Sequence, residues 1–180
     1  MVHALVHAIN DRLNNVGNTV RYIQPVAIDP VDCCESLQSL VTDIRTDQVD
    51  TLIILGGNPV YNAPADFEFA EFLPLVKQRF RLGMYADETS ELCQWHLPEA
   101  HYLESWSDTR AFDGTASIMQ PLILPLYQGR SSHHLLAMLT AAERTTGDEI
   151  IRSYWRNKEP KESEFDFEDW WQTALHNGVI

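Results

Sequence analysis

The sequence predicts an α/β domain in which a parallel sheet is covered by helices on both faces. Three observations lead there. Segments with helical apolar spacing alternate with short runs of β-branched and aromatic residues, the order of right-handed βαβ units. The run Thr51–Leu55, TLIIL, is apolar at every position after the first, as a central parallel strand with two buried faces must be. Hydrophobic residues at 44% against 22% charged, over 180 residues, are enough for a real core.

Taken in order, Leu5, Val6, Ile9 and Leu13 recur at helical spacing, and Asn14, Asn15 and Gly17 stop that first helix. Thr19–Ile23, TVRYI, reads as a short strand, with Pro25 and Pro30 marking the loop behind it. Asp32 is placed to cap a second helix reaching Thr46, with Leu37, Leu40, Val41 and Ile44 on one face. The strand Thr51–Leu55 follows and runs into the corner LGGNP. Asp66 is then placed to cap a helix that carries Glu68 in its first turn and ends near Pro74. Arg79–Ala86, RFRLGMYA, is the next strand, followed by an acidic turn and a short helix from Glu88.

Between Trp95 and Tyr127, Pro98, Gly114, Pro121 and Pro125 break the pattern into short runs, which read as irregular loops wrapping the sheet edge. Helices resume at Leu135–Ala142 and Glu149–Trp155. Asn157–Glu164, NKEPKESE, reads as a charged linker, and Ser163 and Asp166 stand at capping-box spacing behind it. The C-terminal helix then shows a stripe of Phe167, Trp170, Trp171, Ala174 and Leu175, ending near Gly178. Those two tryptophans need cover from this domain or from a partner. The division is 1–156 for the α/β domain and 157–180 for the linker and amphipathic helix.

Thirteen basic against 26 acidic residues give a formal charge of −13. Such a surface repels nucleic acid and anionic lipid. No apolar run approaches the roughly 20 residues of a membrane span, so no direct membrane insertion is expected. The N-terminus lacks the basic start and cleavage site of a signal peptide, so the chain is expected to be soluble. The three cysteines include the adjacent Cys33 and Cys34. They make neither a disulfide framework nor the set of about four that an iron–sulfur cluster needs.

Three stretches hold residues with chemistry. At the corner, Gly56 and Gly57 permit positive φ and close approach, while Pro59 pushes Asn58 toward an extended conformation on the rim. Neither a dinucleotide fingerprint nor a P-loop is present. Arg45 and Lys77 are the nearest basic residues in sequence, with Asp47, Asp50, Asp66, Glu68 and Glu71 between them, so a phosphate would meet a negative field. The residues favour a structural turn over a bound nucleotide. In Ala86–Ser105, Cys93, His96, His101 and Glu104 match no standard zinc spacing, and the pair His3 and His7 lacks a third ligand. In Arg110–Pro121, Asp113-Gly114 signals a turn, and a triad drawn from Ser117, His101 and Asp113 has no nucleophile-elbow pattern behind it.

In this order the three stretches resemble the molybdopterin oxidoreductase superfamily. The matching segments are Gly56-Gly57-Asn58-Pro59, Glu88-Thr89, the strand end Leu97-Pro98, then Glu104, and Gly114-Thr115 with Gln120. The longer wording LGGNPVYNAPADFEFA, DETSELCQWHLPEAHYLESWSDTRAFDGTASIMQPLILPLYQGRS and FEDWWQTALHNGV narrows the match. It is most similar to the molybdopterin-oxidoreductase-like iron–sulfur subunit of alternative complex III, a bacterial quinol:electron-acceptor oxidoreductase.

The resemblance implies a Rossmann-like three-layer fold within a longer parent subunit, of which this chain is a fragment or separately encoded piece. It implies that Gly56, Gly57, Asn58, Pro59, Glu88 and Thr89 stand where molybdenum enzymes approach the guanosine of molybdopterin guanine dinucleotide. In the alternative-complex branch it implies a scaffold without that cofactor, and the acidic corner and the bulky Glu91, Leu92, Gln94 and Trp95 agree with a vacant site. No catalytic or metal-ligating residue is expected on this chain, and iron–sulfur clusters belong to the parent's remainder. Expected partners are other parts of that subunit and other subunits of a respiratory-chain complex at the bacterial membrane, on its periplasmic face. Phe167, Trp170 and Trp171 and the loops Tyr102–Tyr127 are the expected contacts.

Overall fold

The architecture follows from a computed structural model, which describes residues 1–23, 25–27, 30–140, 146–158 and 166–180. Helix α1 (Val2–Arg12) ends at Asn14, whose φ is 54°, and at Gly17. Helix α2 (Cys33–Arg45) starts where Asp32 caps it: one carboxylate oxygen accepts from the N–H groups of Cys34 and Glu35 at 2.9 and 3.0 Å. Strand β1 (Thr51–Leu55) leads through the glycine corner into the single turn α3 (Pro59–Asn62). Then come the short helix α4 (Phe69–Phe72), strand β2 (Gln78–Gly83), the turn α5 (Glu88–Glu91) and strand β3 (Trp95–Pro98).

The three strands form one parallel sheet in the order β1-β2-β3, with Leu55, Leu82 and Leu97 in register at its carboxyl end. This is the α/β, Rossmann-like arrangement that the alternation predicts, but β1 is an edge strand and not the central one expected, because β2 takes the middle of the sheet; α2 and α4 both pack on one face of it. Leu52 and Ile54 project into a core with Val41 of α2, Phe69 of α4 and Leu73. On the opposite face Phe80 and Trp95 stack at 6.4 Å, and Trp95 stays 59% exposed.

A second core lies further along the chain. Strands β4 (Ser107–Arg110) and β5 (Ala116–Met119) make an antiparallel hairpin, followed by α6 (Ser132–Leu139), α7 (Gly147–Arg156) and α8 (Phe167–Asn177). Ile118, Ile151, Phe167 and Trp171 are buried together, with Trp106, Trp155 and Trp170 packed around them. The tryptophan stripe of α8 is therefore covered by this chain. Arg152 and Arg156 both donate to Glu168, and the Arg156 guanidinium lies 4.6 Å over the Phe167 ring.

Four expectations need correction. Thr19–Ile23 forms no strand; only an isolated bridge joins Val16 and Val20. Asp66 caps no helix, because Glu68 takes a left-handed conformation (φ 50°) and splits the segment into a 3-10 turn, α4 and a second 3-10 turn. The strand at 79–86 stops at Gly83, because the following backbone turns toward Asp87, the cap of α5. The region from Trp95 holds three strands as well as loops, since Glu99 bridges Arg130 and the hairpin turns at Asp113-Gly114. Ser163, most of the linker and the end of the 135–142 helix lie outside the described residues.

Candidate functional site

The corner sits at the carboxyl end of β1, where open α/β sheets bind ligands. Gly56 and Gly57 have φ of +60° and +66°, a conformation that disfavours any side chain, and nothing lies within 4 Å of a Cβ built on either. The need for glycine is conformational, and the space above the backbone is open. The Gly56 N–H still donates to the Leu82 carbonyl at 3.0 Å, which ties the corner to β2.

Asn58 and the Glu88-Thr89 pair come together across 30 residues of sequence. The Asn58 amide donates from Nδ2 to Glu88 Oε2 at 2.6 Å, and its Oδ1 accepts from the Thr89 hydroxyl at 2.7 Å. The same hydroxyl accepts from the Val60 N–H at 3.1 Å. Thr89 is fully buried, at 0% exposure. These side chains thus satisfy one another. Only Glu88 remains exposed, and the Asn58 amide beside it holds its carboxyl below the usual carboxylate range.

Beneath the corner lies a cation that reading along the sequence missed. Arg81 projects from β2, donating to the Gly57 and Leu82 carbonyls and to Asp87 Oδ2, the last at 2.9 Å. Its side chain is 4% exposed and that of Asp87 17%. The expectation of a corner without a basic partner is therefore wrong, because strand pairing brings Arg81 from 24 residues away. The signal was legible as an arginine inside the apolar strand RFRLG. Gly83 makes room for it: a Cβ there would stand 2.8 Å from the Arg81 Cζ.

Asp87 completes the network. Its Oδ1 accepts from both the N–H and the hydroxyl of Ser90 at 2.9 Å, capping α5. The Arg81 guanidinium, foremost, and the Ser90 donors pull its carboxyl down to about 2. Ser90 Oγ also meets His96 Nδ1 at 2.8 Å. The Asp87 carboxylate at 2.9 Å takes the Ser90 hydroxyl proton when the His96 tautomer carries its proton on Nδ1.

The remaining candidates do not converge. His101 packs on Tyr102 and its backbone N–H donates to Glu104. Ser117 pairs with Thr109 across the hairpin, and Asp113 accepts from the Thr115 N–H. Gln120 donates to the Leu175 carbonyl. His7 pairs with the Tyr22 hydroxyl at 2.7 Å. Burial pushes the Cys93 thiol up. Among the described residues no three His, Cys, Asp or Glu side chains gather as a metal site. A cleft of about 870 Å³ lies away from the corner, between Pro25–Ala27, Pro30, β4 and α7, where Trp155 donates to Asp108.

The corner does not fit a pyrophosphate. The buried cation Arg81 is paired with Asp87, and its one unpartnered nitrogen, Nε, is shut away from the surface; the Asn58 amide is engaged by Glu88, and that carboxylate, held below the usual range, stands on the rim.

Comparison with known proteins finds a likeness of fold. Acetylene hydratase from Pelobacter acetylenicus superposes with a TM-score of 0.50 at 17% identity, over 57% of this chain and 15% of that one. The chain thus spans a small part of that enzyme's length, and the likeness is one of fold alone. No family model matches the sequence, and no curated protein does. Among the described residues no helix is long and apolar enough to cross a membrane.

Proposed function

We propose that this chain is a domain of a molybdopterin-oxidoreductase-like subunit in a bacterial respiratory quinol-oxidising electron-transfer complex, where it acts as a cofactor-free scaffold. One observation carries the reading. The side chains that the resemblance aligns with the guanosine contacts, Asn58, Glu88 and Thr89, bond to one another and clip two turns together.

The surface supports a scaffold. Leu122, Leu124, Leu126 and Tyr127 stand exposed on one loop, where contacts with the rest of the subunit and with other subunits would form. The parent complex would lie at the membrane, on its periplasmic side, with its iron–sulfur clusters held elsewhere in the subunit. Anaerobic expression with full cofactor supply, followed by molybdenum and pterin analysis, tests the scaffold reading. Negligible pterin is expected; stoichiometric pterin on the folded domain refutes it.

A second reading has one observation in its favour. The ionised Glu88 carboxylate is exposed beside the open Gly56-Gly57 backbone, and guanine offers two N–H donors on one edge that a carboxylate accepts. Here the domain would contribute the guanosine part of a molybdopterin guanine dinucleotide site completed by other segments. Calorimetry with GDP probes it: binding below millimolar that is lost in Glu88→Gln would establish it, and no heat at millimolar ligand removes it.

A further inference from the structure

We infer that a cavity at the carboxyl ends of β2 and β3 binds a small organic amine in its ammonium form. Open α/β sheets take ligands at this end of their strands. Met84 follows β2 directly, Glu99 and Ala100 follow β3, and all three line the cavity. The start of α6 and the first residue of β4 complete the wall through Ser132, His133 and Ser107. The volume is about 420 Å³, within the range of small-molecule sites.

Charge sets the sign of the ligand. No lysine or arginine lines the cavity, and Glu99 supplies its only carboxylate. The chain as a whole carries −13, so its field draws a cation in and turns an anion away. The N-terminus of α6 would favour an anion, but it already has one. Ser132, the first residue of that helix, donates its hydroxyl to Glu99 Oε1 at 3.2 Å. Among the described residues no donor meets the other oxygen, Oε2.

The hydroxyls narrow the choice further. Ser132 spends its proton on Glu99, and Ser105 spends its own on the His101 carbonyl at 3.3 Å. Ser107 meets His133 Nε2 at 3.1 Å. Ser105 and Ser132 therefore have lone pairs, not protons, left for a ligand. Acceptors grouped around a carboxylate complement a head that only donates, and an ammonium has three donors and no lone pair. Met84 and Tyr102 line the same cavity, 49% and 58% exposed, and offer a thioether chain and a ring to the carbon part of the ligand. The cavity shares no lining residue with the Asn58 corner, so its ligand is independent of both readings given for that corner.

Calorimetry of the full chain with 2-phenylethylamine, at about 0.15 M salt to screen the general pull of the acidic surface, tests this. A Kd of about a millimolar or below is expected. The neutral counterpart 2-phenylethanol should bind at least about tenfold more weakly. Glu99→Gln keeps an oxygen for Ser132 and should also weaken the amine at least about tenfold, with thermal unfolding checking that the variant is folded. Met84→Trp crowds the same cavity from a half-exposed position, leaves Glu99 in place, and should lower amine affinity too. No heat from the wild-type chain at millimolar amine overturns the inference, and so does equal binding of the alcohol or unchanged binding in Glu99→Gln. An equal loss in Glu35→Gln, an exposed acid outside the cavity, assigns the amine to general surface charge and overturns it as well.

Discussion

Replacing Asp87 by Asn removes the one charge that compensates a buried arginine while keeping an oxygen to cap α5. The size of the effect follows from the ionisation of Asp87, held at about 2 against an ordinary 3.8. That difference is worth about 2 kcal/mol at neutral pH. The group's pKa is lower in the folded protein, so this stability is present above the unfolded value and is lost as pH falls through the folded one. About half should remain near pH ~3 and under about a fifth near pH ~2. Both side chains are mostly buried, so screening by solvent takes little away. The Asn variant also leaves Arg81 unpaired, which places the total loss at roughly 2–5 kcal/mol. Urea unfolding of both proteins from pH 7 to pH 2 measures it. Subtracting one protein from the other cancels the titration of every other carboxylate. A gap between the two that stays constant from pH 7 to pH 2 would refute the ion pair as the source.

Three further outcomes are expected. Gly83→Ala forces the Arg81 guanidinium off its partners, because the new Cβ lands 2.8 Å from Cζ; a loss of about 1–3 kcal/mol in urea unfolding is expected. Combined with Asp87→Asn it should cost less than the sum of the two, and strict additivity would count against a shared network. Thr89→Val keeps the shape of a fully buried side chain but strands the Val60 N–H and the Asn58 oxygen, for about 1–3 kcal/mol; a neutral result by thermal unfolding would disprove the clip. Trp171→Ala should cost about 3–5 kcal/mol by emptying the second core, whereas no loss of stability would mean that α8 contributes nothing to that core.

What was legible in the sequence was local. Helix α2, its Asp32 cap and strand β1 were readable because propensity, periodicity and capping agree within a dozen residues. The helix expected at Asp66 failed where Glu68 turns left-handed, a choice made by how Phe69 and Leu73 pack under α2. The hairpin of β4 and β5 was hidden because its strands are four residues long and hold few β-branched or aromatic residues. The residues Asn58, Glu88 and Thr89 were found together by resemblance, and the structure does bring them together. Their mutual bonding was invisible, because no spacing rule says that a side chain 30 residues away will take up an amide.

The same limit explains the charge of the corner. Counted along the chain, the stretch between Arg45 and Lys77 holds acids alone, and a phosphate would be repelled. Counted in space, parallel pairing sets Arg81 opposite Ile54, with its guanidinium under the Gly57 carbonyl. The local field is therefore less negative than the sequence implies, yet the cation gives a ligand little. Its Nη1 and Nη2 groups already serve two backbone carbonyls and Asp87, its Nε is buried without a partner, and pulling it out would leave Asp87 unpaired and α5 without its ionic anchor. A positively charged residue near a glycine turn is thus a poor guide to anion binding until its partners are known. What decides is whether the cation has a free donor that a ligand can reach, and at this corner the one Arg81 nitrogen without a partner, Nε, is buried.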